Sequence, residues 1–289
     1  MIVAIHMGNP DVLNIPVLYQ NYGLFGKIGS ISGLGGNIGN WGVEIFIILS
    51  GCVLEYTYGK KIWDAASNFN YRSFIEKRLI RIYPAYWFSL LLALLFNIGL
   101  ISKINWIDAL KTISGFYVFP TLFSNTSDIG QALNPMGWFI GLIVSLYFLY
   151  PPLSGFLKRN GFAGLILIFF LSLIVRIALL LISPYGLSFY WFPLSRLFEF
   201  TLGIYIVQTG FYPKTTHKST TIQFLSDLSF PVFLVHSFVL YILVTASSAY
   251  SMNIVLYLFV VLFLSLLVYQ ADIYFKKVFE ILGQRYKRI

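Results

Sequence analysis

The sequence predicts an all-α fold, a polytopic membrane bundle of about eight spans, and three observations carry that prediction. Charged residues make up 11% of the 289, against 58% hydrophobic and 19% aromatic, and the mean hydropathy is +0.77. A soluble domain carries about 25% charged residues. Apolar runs near the ~20 residues that a bilayer core requires recur at 41–58, 83–101, 138–157, 162–182, 190–210, 229–249 and 253–275. Of 20 Lys and Arg, 15 fall in four short segments, 59–81, 158–159, 211–222 and 276–289, as the positive-inside rule asks of alternate loops.

Taken in chain order, Met1–Met7 is apolar but lacks the basic start and cleavage site of a signal peptide. It reads as the end of a truncated first span whose start lies upstream. With Met1 toward the cytoplasm, the eight segments alternate so that all four basic loops and the C-terminus face inside. The outer connections are then 8–40, 102–137, 183–189 and 250–252, with Lys27, Lys103 and Lys111 as their basic residues. The stretch Ile107–Phe123 is apolar enough for a short helix. A full span there would move Lys158 and Arg159 outside, so it reads as an interfacial or re-entrant segment on the outer face. The Gly- and Asn-rich connection 8–40 suits a lid or close ligand approach, and equally an ordinary outer loop. The whole reads as one integral-membrane domain, 1–289, in the cell membrane.

The formal charge of +9 follows topology rather than forming a nucleic-acid face, so no nucleic-acid partner is expected. A single cysteine, Cys52, excludes an internal disulfide or a CxxC metal site. His6, His217 and His236 are far apart in sequence, so no metal set is expected.

Ionisable residues within spans are costly and are functional candidates by default. His6 ends the first span, and Glu44 lies near the outer start of the second. A histidine oriented by a carboxylate suits general-base work, since its ordinary pKa is about 6.5; the same pair also suits a simple contact between two helices. Ser50, on the helix of Glu44, is expected to bond back to its own backbone, and no G-x-S-x-G elbow accompanies it. Arg176 stands in mid-span and requires a counter-charge. Arg196 and Glu199, three apart, are positioned to neutralise each other. His236 reads as a satisfied helix–helix contact. Trp138 and Tyr147 suit a membrane interface.

The stretch 71–90, YRSFIEKRLIRIYPAYWFSL, joins a basic cluster directly to an apolar helix. Arg78 and Arg81 share a helical face there, with Lys77 beside them. A guanidinium binds phosphate through two parallel hydrogen bonds, so this is a seat for a phosphorylated ligand. A flank that only fixes topology would look the same.

Five segments, in order, resemble the acyltransferase 3 family of integral-membrane O-acyltransferases. They are the histidine closing the first span (His6), the G-V-E-I-F-I-I-L-S-G helix of 42–51, and the F-x-x-x-R-x-x-R-I-Y-P stretch of 74–84. Next come W-F-I with Y-F-L-Y-P at 138–151, and last R-L-F-E-F-T-L-G at 196–203 with S-F-P-V-F-L-V-H at 229–236. The resemblance implies transfer of an acyl group, usually acetyl, from cytoplasmic acyl-CoA to a hydroxyl of a surface or secreted glycan. Acyl-CoA is then a co-substrate, and no cofactor is implied. The resemblance implies Arg78 and Arg81 for the donor's phosphates and His6 for the chemistry; the reading of the residues themselves adds Lys77 to the first and Glu44 to orient the second. Ser50, Trp138 and Tyr147 are candidate donors to the oxyanion. The sequence departs from the family pattern at Ile143 and Ser145, where many members carry an acidic residue and a glutamine.

Two rival readings use the same residues. Intramembrane His, Glu and Arg suit a transporter or exporter of a glycan or small metabolite. A non-catalytic member of the family acting as a partner subunit suits them as well.

Overall fold

The computed structural model of the chain describes residues 38–64, 69–99, 104–116, 119, 133–182, 191–211, 219–246 and 254–286. His6, His217, most of the 8–40 connection and the proposed first span lie outside these residues. Every regular element described is helical: α1 (Ile38–Trp63), α2 (Tyr71–Phe96), α3 (Trp106–Ser114), α4 (Trp138–Ile182), α5 (Leu197–Gln208), α6 (Thr220–Ala246) and α7 (Ile254–Tyr286). Short 3-10 turns at Pro135–Gly137 and Pro193–Arg196 lead into α4 and α5. Five helices, α1, α2, α4, α6 and α7, are long and apolar enough to cross a membrane.

The 45 residues of α4 exceed one crossing, and the chain reverses within them at Gly161 (φ 55°, ψ −135°). That conformation is open to glycine because it has no Cβ. Before the turn, Ser154 meets Gln208 at the end of α5; after it, Arg176 meets Glu199 at the beginning of α5. The two arms therefore run in opposite directions, matching the separate runs 138–157 and 162–182. Exposed residues of the second arm, such as Leu167, Phe170, Ile174 and Leu181, are apolar, as a lipid-facing surface requires.

Two boundaries differ from the sequence reading. The basic segment 59–81 is largely helical: α1 continues to Trp63, and α2 begins at Tyr71, where the Asn70 side chain caps it by accepting from the Ser73 amide. Arg78 and Arg81 thus sit on a helix, as their spacing implies, although the segment 59–81 was counted as a basic loop. Likewise α7 runs on to Tyr286, so Lys276 and Lys277 are helical.

The α1, α2 and first α4 segments are held in register by polar contacts from opposite ends. The Tyr71 hydroxyl donates to the Phe148 carbonyl, and Asn134 Nδ2 donates to Ser89 Oγ, so α2 and α4 are antiparallel. Phe46 packs edge-on to Phe139, and the Tyr150 hydroxyl donates to the Leu54 carbonyl, so α1 and α4 run parallel. Lys60, Lys61, Lys158 and Arg159 gather at one end, which we call the basic end.

The α1–α5 crossing is made by two glycines. A Cβ at Gly203 would lie 2.0 Å from the Ile48 carbonyl oxygen, and one at Gly51 would lie 2.2 Å from that of Phe200. Backbone contact of this kind stands in for hydrophobic driving force where lipid is as apolar as the helices.

The nine residues of α3 span only about 13.5 Å, too short for a crossing. Its C-terminal carbonyls are bound by aromatic side chains of α2. Tyr86 donates to Thr112 O at 2.6 Å, Trp87 Nε1 to Ile113 O at 2.9 Å, and Tyr83 to Ser114 O at 2.9 Å. These donors lie about ten residues short of the end of α2, so α3 dips into the bundle. The described part of the segment expected at 107–123 is thus a short helix held against α2, too short to cross.

Candidate functional site

Among the described residues, three polar regions lie inside the bundle. The first is a cavity of about 290 Å³ between α1, α2, α4, α6 and α7. Its basic end carries Arg81 of α2, Asp227 of α6, and Asp272 and Lys276 of α7. Farther along, its walls are Phe46, Phe139, Ile143 and Tyr147. One end is thus charged and the other apolar. Among the described residues Arg81 makes no ion pair, and its side chain is exposed. Small-molecule sites begin at about 300 Å³, so this cavity suits an extended arm better than a whole nucleotide.

Arg78, one helical turn before Arg81, faces differently. Its Nη2 donates to the Tyr58 hydroxyl at 2.9 Å, and its guanidinium lies 5.1 Å from the centre of that ring. Its Nε is buried without a hydrogen-bond partner. Lys77 is exposed and, four residues from Arg81, shares its face. The helix therefore turns Arg81 to the cavity and Arg78 to α1.

The second region is a buried cluster of two glutamates and two arginines, each under a tenth exposed. Glu199 Oε1 accepts from Arg176 Nη2 at 2.5 Å and from Arg196 Nη1 at 3.0 Å. Arg196 Nη1 also reaches Glu44 Oε1 at 3.4 Å, and Arg176 Nε donates to the Ser195 carbonyl at 2.8 Å. Formal charges cancel, as burial demands. Arg196 and Glu199 pair as their spacing foretold. Arg176 finds its counter-charge on Glu199, and Glu44 joins them across the α1–α5 crossing. Glu44 does not line the cavity.

The third region was missed in the sequence. Glu55, 2% exposed, lies between α1, α4 and α5. It accepts from Tyr150 OH at 2.9 Å, Ser154 Oγ at 3.1 Å and Gln208 Nε2 at 2.7 Å. Trp63 Nε1 donates to Ser154 Oγ at 2.9 Å. An acidic residue within the apolar run 41–58 was the available signal.

Of the remaining candidates, Tyr147 lines the cavity and is 9% exposed. Ser50 Oγ donates to the Phe46 carbonyl at 2.8 Å, the back-bond expected of it. Trp138 packs its ring edge against Phe139, outside the cavity wall. His236 is fully buried, with Nδ1 2.7 Å from the Phe233 carbonyl. Its backbone carbonyl accepts from the Tyr257 hydroxyl, linking α6 to α7.

A helical bundle with several membrane-crossing helices, buried charge and a cavity charged at one end defines a multi-pass membrane protein with an internal site. The model of the acyltransferase 3 family, described as an acyltransferase domain, matches residues 1–222, and the chain belongs to that family. It is a membrane acyltransferase. No curated protein and no solved structure matches the chain.

Proposed function

We propose that the protein transfers an acyl group, acetyl in the simplest case, from acyl-CoA to a hydroxyl of a surface or secreted glycan in the cell membrane. The observation that carries this reading is Arg81, in no ion pair among the described residues, at the charged end of a cavity whose other end is lined by Phe46, Phe139 and Ile143. A phosphorylated donor with a long, uncharged arm matches that gradient. The positive-inside rule places the basic end, and with it the C-terminus, in the cytoplasm where acyl-CoA is found.

In this reading Arg81 holds the donor's phosphates with Lys77, while Arg78 braces the seat from behind. The acyl arm lies along Ile143, Tyr147, Phe139 and Phe46. His6, oriented by Glu44, takes the proton of the acceptor hydroxyl as its oxygen attacks the thioester carbonyl. The C–O bond forms, the C–S bond breaks, and the proton passes to the departing thiolate. Alternatively, His6 first carries the acyl group itself. Tyr147 is the candidate oxyanion donor that already borders the cavity.

The test is release of free CoA from acetyl-CoA by protein in lipid, with and without a glycan acceptor mixture, for wild type and His6→Ala. Acceptor-dependent release that falls about 10² to 10⁴-fold in the mutant is expected. No release from either protein would point instead to transport or to a non-catalytic role. Release unchanged in His6→Ala would remove the histidine from the chemistry.

A further inference from the structure

The cavity's fifth wall, α7, lies beyond the stretch that the family model matches. We infer that α7 completes the donor site: Lys276 is a second phosphate ligand beside Arg81, and Asp272 accepts a hydrogen bond from an N–H or O–H of the donor's polar arm. This inference rests on the donor reading above and extends it to residues not assigned by the motifs.

Asp272 is 8% exposed and borders the cavity. Its Oδ2 holds the Lys276 ammonium, one helical turn away, while Oδ1 is buried with no hydrogen-bond partner among the described residues. A buried carboxylate oxygen without a donor is costly, about 1–3 kcal/mol or more. Buried polar atoms are nearly always satisfied, so an orphan on a residue that lines a cavity marks a place where a ligand can supply the missing partner. The missing group must be a donor, which a phosphate lacks and an amide N–H or hydroxyl supplies.

Lys276 retains 35% of its side-chain exposure and holds to Asp272 along its own helix. Its flexible stem allows it to turn outward to an anion while staying within reach of Asp272. Arg81 stands across the same mouth.

The order of groups along the cavity matches the order of groups along a nucleotide thioester. Lys276 and Arg81 stand at the basic end to meet phosphate. Asp272 stands one turn deeper, to meet an arm bearing amides and a hydroxyl. Ile143, Phe139 and Phe46 then line the space for the acyl end. Asp227 on α6 also faces the mouth, its carboxylate accepting from Gln223 Nε2 at 3.1 Å. Two cations are therefore balanced by two carboxylates. A bare anion gains little in such a mouth, whereas a ligand bringing both phosphate and donors gains at each group.

The experiment is equilibrium titration of the full chain in lipid with CoA, and separately with pantetheine, which has the arm but no phosphates. Wild type, Lys276→Ala, Lys276→Arg and Asp272→Leu are compared. Lys276→Ala is expected to weaken CoA about tenfold, with Lys276→Arg restoring it and pantetheine unaffected. Asp272→Leu is expected to weaken both ligands about tenfold, in line with loss of a hydrogen bond to a charged group. If wild type binds CoA and Lys276→Ala and Asp272→Leu bind it equally well, the α7 assignment is wrong while the donor reading stands. If wild type binds no CoA, the donor reading falls and takes this assignment with it. Should Asp272→Leu not fold, the Lys276 pair decides on its own.

Discussion

The Arg78 guanidinium donates to the Tyr58 hydroxyl at 2.9 Å and lies over its ring, tying α2 to α1. Arg81, three residues on, makes no such tie among the described residues and borders the cavity. Two arginines that look equivalent in the sequence therefore separate into a brace and a ligand group. Arg81→Ala is expected to raise the apparent KM for acyl-CoA about tenfold or more, with little change in thermal stability. Arg78→Ala is expected to lower stability by about 1–3 kcal/mol, the scale of a hydrogen bond to a charged group, and Tyr58→Phe should reproduce part of that loss. Steady-state kinetics with thermal unfolding in lipid reads both; equal effects of the two arginine variants on both measurements would erase the distinction.

A second expectation concerns the buried charges. Glu199 bridges Arg176 and Arg196, and Arg196 reaches Glu44. Removing one member leaves an uncompensated buried charge, a loss of about 3–5 kcal/mol. Glu199→Leu should be strongly destabilising. Glu199→Leu with Arg176→Met removes opposite charges together and leaves Arg196 with Glu44. The double variant should be more stable than Glu199→Leu alone, by more than 1 kcal/mol of coupling. Additive losses in a denaturation cycle would show that the cluster is not an energetic unit.

How far such relationships could be read beforehand depends on their range along the chain. Seven apolar runs and four basic segments are local patterns, so the helices, including the reversal near Lys158 and Arg159, were legible. The Arg196–Glu199 pair is three residues apart and was legible too. Arg176 was seen to need a partner, but Glu199 lies 23 residues away, and no spacing rule reaches so far. The cavity is less legible still, because Arg81, Tyr147 and Asp272 meet only through packing of α2, α4 and α7. Glu55 went unnoticed because its donors, Tyr150, Ser154 and Gln208, read as interface or filler residues until folded around it. The shared helical face of Arg78 and Arg81 was legible from their spacing, but the start of the helix at Tyr71 was not, because the charge of 72–81 hides the cap that Asn70 supplies.

The glycine crossing yields a third expectation. A methyl at Gly203 or Gly51 meets a backbone carbonyl, and backbone cannot turn aside as a side chain can. Gly203→Ala should force α1 and α5 apart and weaken the 3.4 Å contact between Arg196 and Glu44. Overpacking of this kind costs about 1–3 kcal/mol. At Gly155 the same methyl comes no closer than 3.9 Å, to the Arg159 side chain, so Gly155→Ala serves as the control. A lowered unfolding midpoint in Gly203→Ala but not in Gly155→Ala is expected; equal midpoints would mean that the helices yield without cost.

The last expectation concerns how α3 is held to α2. Tyr83, Tyr86 and Trp87 donate to the three consecutive carbonyls that end α3. The Thr112 carbonyl also accepts the Gly115 amide at 3.1 Å, so losing the Tyr86 hydroxyl leaves it one donor short rather than unsatisfied, a loss of about 0.5–1.5 kcal/mol. The Tyr86 hydroxyl is fully buried and closest, at 2.6 Å. Tyr86→Phe keeps the ring and removes the donor, so its effect should be confined to the end of α3. Amide exchange in Trp106–Ser114 should speed up, by at most about tenfold on that scale, while exchange in α1 and α5 stays as in wild type. Trp87→Phe should do the same less strongly, since Trp87 is exposed and lipid headgroups or water can reach Ile113. Unchanged exchange in both variants would mean that the contact of Gly115 with Ile140 and Gly141 holds α3 in place without the aromatic donors.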